Sequence, residues 1–203
     1  MASPKHFKPS KGKTLTESFL AACRAGQVNR AKSYLAQGAD INEQDFSEQP
    51  NLGATGNTGL LWAFWGGRGT LARALLDAGA DPRIPNAKGE TALHVCPTNF
   101  IDEMLESGID IDARDDAGRT PINTDRGIWS DRERMEKLLD RGANPFIRDK
   151  DGNDALDRVR TDMKMITNSG IMFEAEKDAM KETARLYERM KKAPGKDTSP
   201  KRP

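Results

Sequence analysis

The side chains that most often carry out nucleophilic or metal chemistry are scarce in this chain. Its 203 residues include two histidines, His6 and His94, and two cysteines, Cys23 and Cys96. A structural zinc site takes about four His, Cys or carboxylate ligands, and an activated nucleophile needs a base within reach. Residues two apart on one helix do not face each other, which argues against a dyad of His94 and Cys96. The sequence therefore predicts no catalytic residue, no metal ligand, no cofactor and no enzymatic activity.

One string imitates a phosphate-binding loop. Lys11-Gly12-Lys13-Thr14 has the letters that end such a loop, but Phe7 stands where the first glycine is required and no strand pattern precedes it. A loop without that glycine and strand cannot wrap its backbone amides around a phosphate. We therefore reject nucleotide binding at this position.

The strongest signal is a repeated tripeptide at the end of leucine-bearing segments. Its four copies are Gly38-Ala39-Asp40, Gly79-Ala80-Asp81, Gly108-Ile109-Asp110 and Gly142-Ala143-Asn144. Ten residues beyond the last three closing glycines lie Gly89, Gly118 and Gly152. In the first copy the matching residue is Gly56, eighteen residues on, so eight residues have been inserted; the third unit is about four residues short around Pro97. Such a fixed phase predicts a tandem array.

These strings resemble the ankyrin repeat family. That family has a glycine-led turn, a T-P-L-H opening on a first helix, a second helix ending in Leu-Leu, and then G-A-D. The best openings are Thr91-Ala92-Leu93-His94 and Thr120-Pro121-Ile122-Asn123, and the best closings run over 75–81 and 138–144. The resemblance covers about 15–160. It implies an all-α solenoid of four to five helix-turn-helix units with hairpin fingers, and it gives His94 a structural role, a hydrogen bond to a neighbouring turn.

Local physical chemistry explains the same pattern. Thr can cap a helix start, Pro fits the first helical turn, and Gly after Leu-Leu ends a helix in a left-handed conformation. One unit alone has too little apolar surface to fold, so stacked units must share a core. The predicted core residues are Phe19, Ala22, Leu35, Leu60, Ala63, Leu75, Leu93, Met104, Leu105, Ile122, Leu138 and Leu156.

The array is flanked by basic tails. Residues 1–13 and 191–203, which are rich in Lys, Pro and Ser, are expected to be disordered. The array spans 14–170, with units at about 14–46, 56–86, 86–115, 116–149 and 150–170 and the insertion at 45–55. A broad apolar stripe over 171–190 predicts a long C-terminal helix that caps the last unit, with a partner-binding helix as the alternative.

The resemblance places partner contacts on the fingers and on the exposed ends of the first helices. Transferred position by position, the candidate binding residues are Gln44, Asp45, Trp65, Arg83, Lys88, Glu90, Arg114, Asp116, Arg119, Arg148 and Lys150, and the insertion adds Phe46 and Glu48. Trp65 is expected at the surface beside the lengthened finger, either presented to a partner or packed under the insertion. Trp62 and Phe64 are expected in the core. Trp129, in the irregular stretch 125–131, is the second aromatic candidate.

Composition limits the function classes. Lys and Arg number 32 against 31 Asp and Glu, so a formal charge of +1 gives no global attraction for nucleic acid. The longest apolar run, 60–65, is too short to span a membrane. Cys23 and Cys96 each lie where a first helix is expected, with no pairing indicated, which favours a reducing cytoplasm; a protein injected into another cell would look the same.

We therefore expect a non-catalytic module that binds one protein partner through its concave finger and first-helix surface. The alternatives are an immunity protein that neutralises a bacterial toxin enzyme and a bacterial effector that binds a host protein.

Overall fold

The computed structural model describes residues 14–49, 53–124, 128–168 and 174–193, and it divides the chain into two compact units, Met1–Ile109 and Asp110–Pro203. The predicted tail 1–13 and positions 194–203 of the other predicted tail lie outside the described residues. Residues 171–173, at the start of the predicted capping helix, also lie outside them.

The first unit consists mainly of short helices. Its α-helices are α1 (Leu15–Arg24), α2 (Val28–Ala36), α3 (Gly59–Trp65), α4 (Gly69–Asp77), α5 (Ala92–Val95) and α6 (Ile101–Glu106), with a 3₁₀ turn at Thr98–Phe100. Helix α1 packs on α2 and α3, and α3 packs in turn on α4 and α5. Stacking of the first helices of successive repeats creates the shared core that no single repeat could form.

The second unit is less regular. It contains a 3₁₀ turn at Pro121–Asn123, followed by α7 (Ile128–Asp140), α8 (Ala155–Asn168) and α9 (Glu174–Lys191). Helix α9 packs against α8 and α7. The expected first helix of the fourth repeat is therefore only a short turn. Trp129 lies in the first turn of α7 and not in an irregular stretch, which corrects that expectation.

Polar side chains begin the helices where the repeat openings predicted. The Thr14 hydroxyl accepts from the amide of Glu17 at 3.1 Å, and the Thr58 hydroxyl accepts from that of Leu61 at 3.3 Å. In α5 the amide of Thr91 donates to Nδ1 of His94 at 3.2 Å, and the imidazole is buried. His94 thus has a structural role at the start of its own helix.

The closing glycines end the second helices in the left-handed conformation. Gly79 has φ of +90°, and its amide donates to the carbonyl of Leu76 at 2.9 Å. Gly38, Gly108 and Gly142 have similar φ values, as expected from the Leu-Leu-x-x-Gly pattern.

The shortened third repeat and the lengthened second one each change the local structure. Helix α5 has four residues because Pro97, two residues beyond its end, cannot donate a backbone hydrogen bond and has extended backbone, with ψ of 160°. In the insertion 45–55, the strands β1 (Glu48–Gln49) and β2 (Gly53–Ala54) pair antiparallel, which the sequence did not predict.

The core agrees with the sequence in most positions. Ten of the twelve predicted core residues are buried, while Leu35 and Leu105 are half-buried. Trp62 and Phe64 are also buried, and the Phe64 ring meets Phe100 edge-on with 5.1 Å between centroids. The two exceptions lie toward the ends of α2 and α6, where the outer helices meet solvent.

Candidate protein-binding surface

Each finger is built around an Asn or Asp seven residues after the closing glycine. Oδ1 of Asn86 accepts from the amides of Lys88 and Glu90 at 2.9 and 3.0 Å. Asp115 and Asp149 hold the same bonds to the amides two and four residues further on. This side-chain–backbone bonding fixes a tight turn. Sequence reasoning missed these residues, although their constant offset from Gly79, Gly108 and Gly142 was a readable signal.

Asp45 occupies the equivalent position in the finger that carries the insertion. Its amide donates to the carbonyl of Asn57 at 2.9 Å, and its carbonyl accepts from the amide of Gly56 at 2.9 Å. The same pair of backbone bonds closes the shorter finger between Asn86 and Glu90, and between Asn86 and Gly89. The hairpin of β1 and β2 is therefore added inside the same turn that closes the shorter finger, and the two bonds at the base of that turn are kept.

The Asp45 carboxylate joins the insertion to two helices. Oδ2 accepts from Nη1 of Arg24 at 2.7 Å and from Nε1 of Trp62 at 3.0 Å, while Oδ1 accepts from the amide of Ser47 at 3.1 Å. The Arg24 guanidinium also lies 5.9 Å from the centre of the Trp62 ring. Asp45 is only 4% exposed. We therefore revise its predicted role from a partner contact to a residue that positions the insertion.

The lengthened finger is tied to the next one. Nε2 of Gln44 donates to the carbonyls of Gly56 and Pro85 at 3.2 and 2.8 Å, and the amide of Ala87 donates to the carbonyl of Thr55 at 2.9 Å. These bonds span two successive repeats of the first unit. Gln44, half-buried, thus combines a predicted binding position with a structural function.

Glu90 also stabilises its finger through a buried hydrogen bond to Asn86. It is buried, and its Oε2 accepts from Nδ2 of Asn86 at 2.7 Å, while Nδ2 of Asn86 also donates to Oδ1 of Asn57 at 3.0 Å. A buried carboxylate with these bonds has little surface to offer a partner. The position after the turn glycine, which the resemblance marked as a contact, faces inward here.

Two aromatic side chains of the first unit are exposed, one on the lengthened finger and one at the end of α3. Phe46 is 57% exposed and Trp65 is 47% exposed, and they are the large hydrophobic residues so exposed in the part of the chain whose burial is described. Phe46 lies over Gly56, where a Cβ would come within 2.9 Å of the ring and of the Ala87 amide. Trp65 ends α3, and its presentation to a partner stays a prediction.

Arg83 and Lys88 project from the neighbouring finger. Arg83 donates from Nε and Nη2 to the two carboxylate oxygens of Asp81 at 2.9 and 2.8 Å, and Lys88 is exposed. The hydrogen bonds from Arg83 hold the pKa of Asp81 below its usual value. This planar pairing orients the guanidinium while leaving it largely accessible.

In the second unit the predicted basic residues take part in local bonds. Arg119 pairs with Asp115 at 2.7 Å, Arg148 pairs with Asp157 at 3.2 Å, and Nη2 of Arg114 donates to the carbonyl of Arg148 at 2.6 Å. Asp116 and Lys150 are exposed. For Glu48 and Trp129 the structure describes the backbone alone, so their predicted contacts remain predictions.

Both cysteines are buried, and burial raises the pKa of the Cys23 thiol to about 12. A thiol that stays protonated near neutrality is a weak nucleophile. Within the described ranges, no cluster of three or more His, Cys, Asp or Glu side chains is placed to hold a metal ion. Over the same residues, no helix has both the length and the apolar character needed to cross a membrane.

Comparison with known proteins agrees with this architecture. A family model described as ankyrin repeats, in three copies, matches residues 19–115, slightly under half of the chain. Residues 19–115 are thus identified as ankyrin repeats. Ankyrin repeats generally act as protein–protein interaction modules and are generally non-catalytic.

Similar proteins occur in unrelated organisms. An ankyrin repeat-containing protein of Treponema pallidum is 30% identical over 131 residues, which cover 64% of this chain and 32% of the relative. Ankyrin repeat protein L86 of Acanthamoeba polyphaga mimivirus is 30% identical over 111 residues, 43% of this chain and 19% of that protein. The mouse tRNA endonuclease ANKZF1 is 43% identical over 75 residues, 36% of this chain and 10% of the enzyme. The chain thus spans a third or less of each of these relatives.

Proposed function

We propose that this chain is a non-catalytic module that binds one protein partner through its fingers and the exposed ends of its first helices. The observation that carries the proposal is the exposure of two aromatic side chains, Phe46 on the lengthened finger and Trp65 at the end of α3. Exposed aromatic side chains are costly in water and are enriched where binding energy concentrates.

The surroundings of these side chains support the same conclusion. The Asp45 network and the bonds from Gln44 hold the insertion to α1, α3 and the adjacent finger. A rigid surface loses less conformational entropy on binding than a mobile one. Arg83 adds a cation of the type most often found at interface hot spots.

The test begins with capture of the partner from the native organism and its identification by mass spectrometry. With the purified partner, calorimetry should show that Trp65→Ala and Arg83→Ala each weaken binding at least about tenfold, or about 1.4 kcal/mol. Both variants should keep nearly the wild-type melting temperature. Lys32→Ala, an exposed change on the outer helix α2, is the matched control and should leave the affinity unchanged.

Other outcomes would overturn parts of the proposal. Unfolding of Trp65→Ala would mean that the indole supports the fold, and unchanged affinity in both variants would place the partner elsewhere, with the start of α7 around Trp129 as the next region to test. The captured protein also separates the alternatives: a toxin enzyme would indicate an immunity protein, and a host protein would indicate an effector. A cytoplasmic location is part of the proposal, supported by the two buried thiols.

A further inference from the structure

A groove of about 650 Å³ lies between α1 and residues 43–47, at the root of the insertion. Its lining includes the start and end of α1, through Thr14, Glu17, Leu20 and Arg24. Phe46 and Glu43 contribute from the side of the finger. The groove is separate from Trp65 and Arg83, which do not line it.

The groove carries a net negative charge, because the positive and negative groups of its internal ion pair cancel. Arg24 is neutralised by Asp45 at 2.7 Å, and it also donates to the Ser47 hydroxyl at 3.3 Å. Glu17 and Glu43 are exposed, and neither forms an ion pair with a cation among the described side chains. Two carboxylates therefore face solvent beside the exposed ring of Phe46.

Both walls of the groove are held by hydrogen bonds. On α1, Oε2 of Glu17 accepts from the amide of Thr14 at 2.7 Å, and the Thr14 hydroxyl accepts from the amide of Glu17 at 3.1 Å. On the finger, the Asp45 carboxylate accepts from the amide of Ser47, and backbone bonds to Asn57 and Gly56 hold Asp45 itself, so the residues on both sides of Phe46 are fixed. Such a capping box and turn keep the carboxylates and the ring in place before any ligand arrives.

We propose that this groove binds a basic segment of the partner protein, with a lysine or arginine cation near Glu17 and Glu43 and its aliphatic stem against Phe46. The inference rests on the proposed function and adds the chemistry of the partner. The carboxylates attract the cation, the ring face adds a cation–π contribution, and the apolar part of the lining accepts the methylene stem. Two anionic groups and one ring suit a cationic side chain better than an acidic or purely apolar one.

The inference can be tested with a defined probe. The full chain, labelled with ¹⁵N, is titrated with acetyl-Gly-Lys-Gly-Lys-Gly-amide and, separately, with the same peptide carrying Glu in place of Lys. The lysine peptide should shift the amide resonances of Glu17, Leu20 and Phe46, and its affinity should fall with added salt because exposed charges are screened. The glutamate peptide should leave these resonances unchanged.

Matched variants sharpen the assignment. Glu43→Lys should weaken binding of the lysine peptide at least about fivefold, because it replaces an attractive charge by a repulsive one. Glu106→Lys makes the same change at an exposed position on α6 that does not line the groove, and it should leave the affinity within about twofold. Glu43→Lys should also lower the affinity for the captured protein partner.

Three results would overturn the inference. The first is that the lysine peptide fails to shift the groove resonances. The second is that Glu43→Lys and Glu106→Lys lower the affinity for the peptide equally, which would indicate attraction by the overall charge of the protein and not by the groove. The third is that a variant with Lys8→Gln, Lys11→Gln and Lys13→Gln by itself shifts the groove resonances and binds the peptide more tightly, which would make the chain's own basic segment the occupant.

Failure of the groove can be distinguished from failure of the proposed function. A partner that loses affinity with Trp65→Ala but not with Glu43→Lys would leave the binding module intact and remove only this inference.

Discussion

At the scale of single residues, the closing glycines show how sequence sets local structure. Gly79 has φ of +90°, and no atom outside its immediate neighbours lies within 4 Å of where its Cβ would be. A Cβ at this position would therefore meet no steric obstacle. The requirement for glycine comes from the backbone conformation itself, which costs an L-residue about 1–2 kcal/mol.

We accordingly expect Gly79→Val to lower the free energy of unfolding by about 1 kcal/mol or more. Ala78→Val provides the matched control, because Ala78 is the adjacent exposed residue and its φ is −87°. Urea denaturation of the two variants measures the difference. Equal stabilities would mean that the left-handed conformation is not what selects glycine at this position.

The roles of the closing glycines and of the helix-capping threonines could be predicted from residue types at fixed spacing, because these roles depend on local backbone geometry. The positions of Asp45 and Glu90 could not be obtained in the same way. Both occur at positions that the repeat pattern assigns to the surface, yet Asp45 is buried by Arg24 and Trp62 and Glu90 by Asn86. Burial depends on which partners the chain brings close, and spacing within one repeat does not contain that information.

At the scale of elements, the insertion shows how a finger is lengthened without loss of the repeat. The hairpin of β1 and β2 begins after Asp45 and ends before Gly56, inside the two backbone bonds that close an ordinary finger. The sequence located the insertion from the displaced glycine, but it could not reveal pairing between strands of two residues each. The Arg24–Asp45–Trp62 contacts then fix the hairpin's root to α1 and α3.

A double-mutant cycle tests this connection. We expect Arg24→Gln and Asp45→Asn to show a coupling of about 1 kcal/mol or more in the free energy of unfolding, because each removes one side of a charge-assisted hydrogen bond. Asp45→Asn retains an oxygen that can accept from Ser47, so the change is aimed at the bonds made by Oδ2. The same cycle with Asp77→Asn, an exposed residue at the end of α4, serves as the control. Additive effects of Arg24→Gln and Asp45→Asn would show that the ion pair does not secure the hairpin.

At the scale of the whole molecule, an array needs end units that differ from its interior units. In the second unit α9 replaces the expected closing segment and packs on α8 and α7. Leu186 and Met190 are buried there, while Arg160 of α8 donates from Nη2 to the Tyr187 hydroxyl at 2.8 Å. The apolar stripe identified this helix in the sequence, since its period is a property of one continuous segment.

The final prediction concerns what this helix does. Deletion of residues 171–203 should lower solubility and broaden thermal unfolding, because the apolar surface that α9 covers on α7 and α8 would face water. Light scattering and differential scanning calorimetry measure the two effects. Within the full chain, Leu186→Ala should destabilise by about 2 kcal/mol or more, whereas Glu188→Ala, two residues on and exposed, should cost little.

The point variants control for general effects of shortening the chain, because they change single side chains of α9 in the full-length protein. If the shortened chain remains monomeric and melts like the full one, and Leu186→Ala is as stable as Glu188→Ala, then α9 contributes nothing to the stability of the repeats it covers. The helix would then be better explained as a binding element whose apolar stripe is available to a partner. Loss of stability in both experiments would instead show that the stripe covers apolar surface of α7 and α8 and so closes the array.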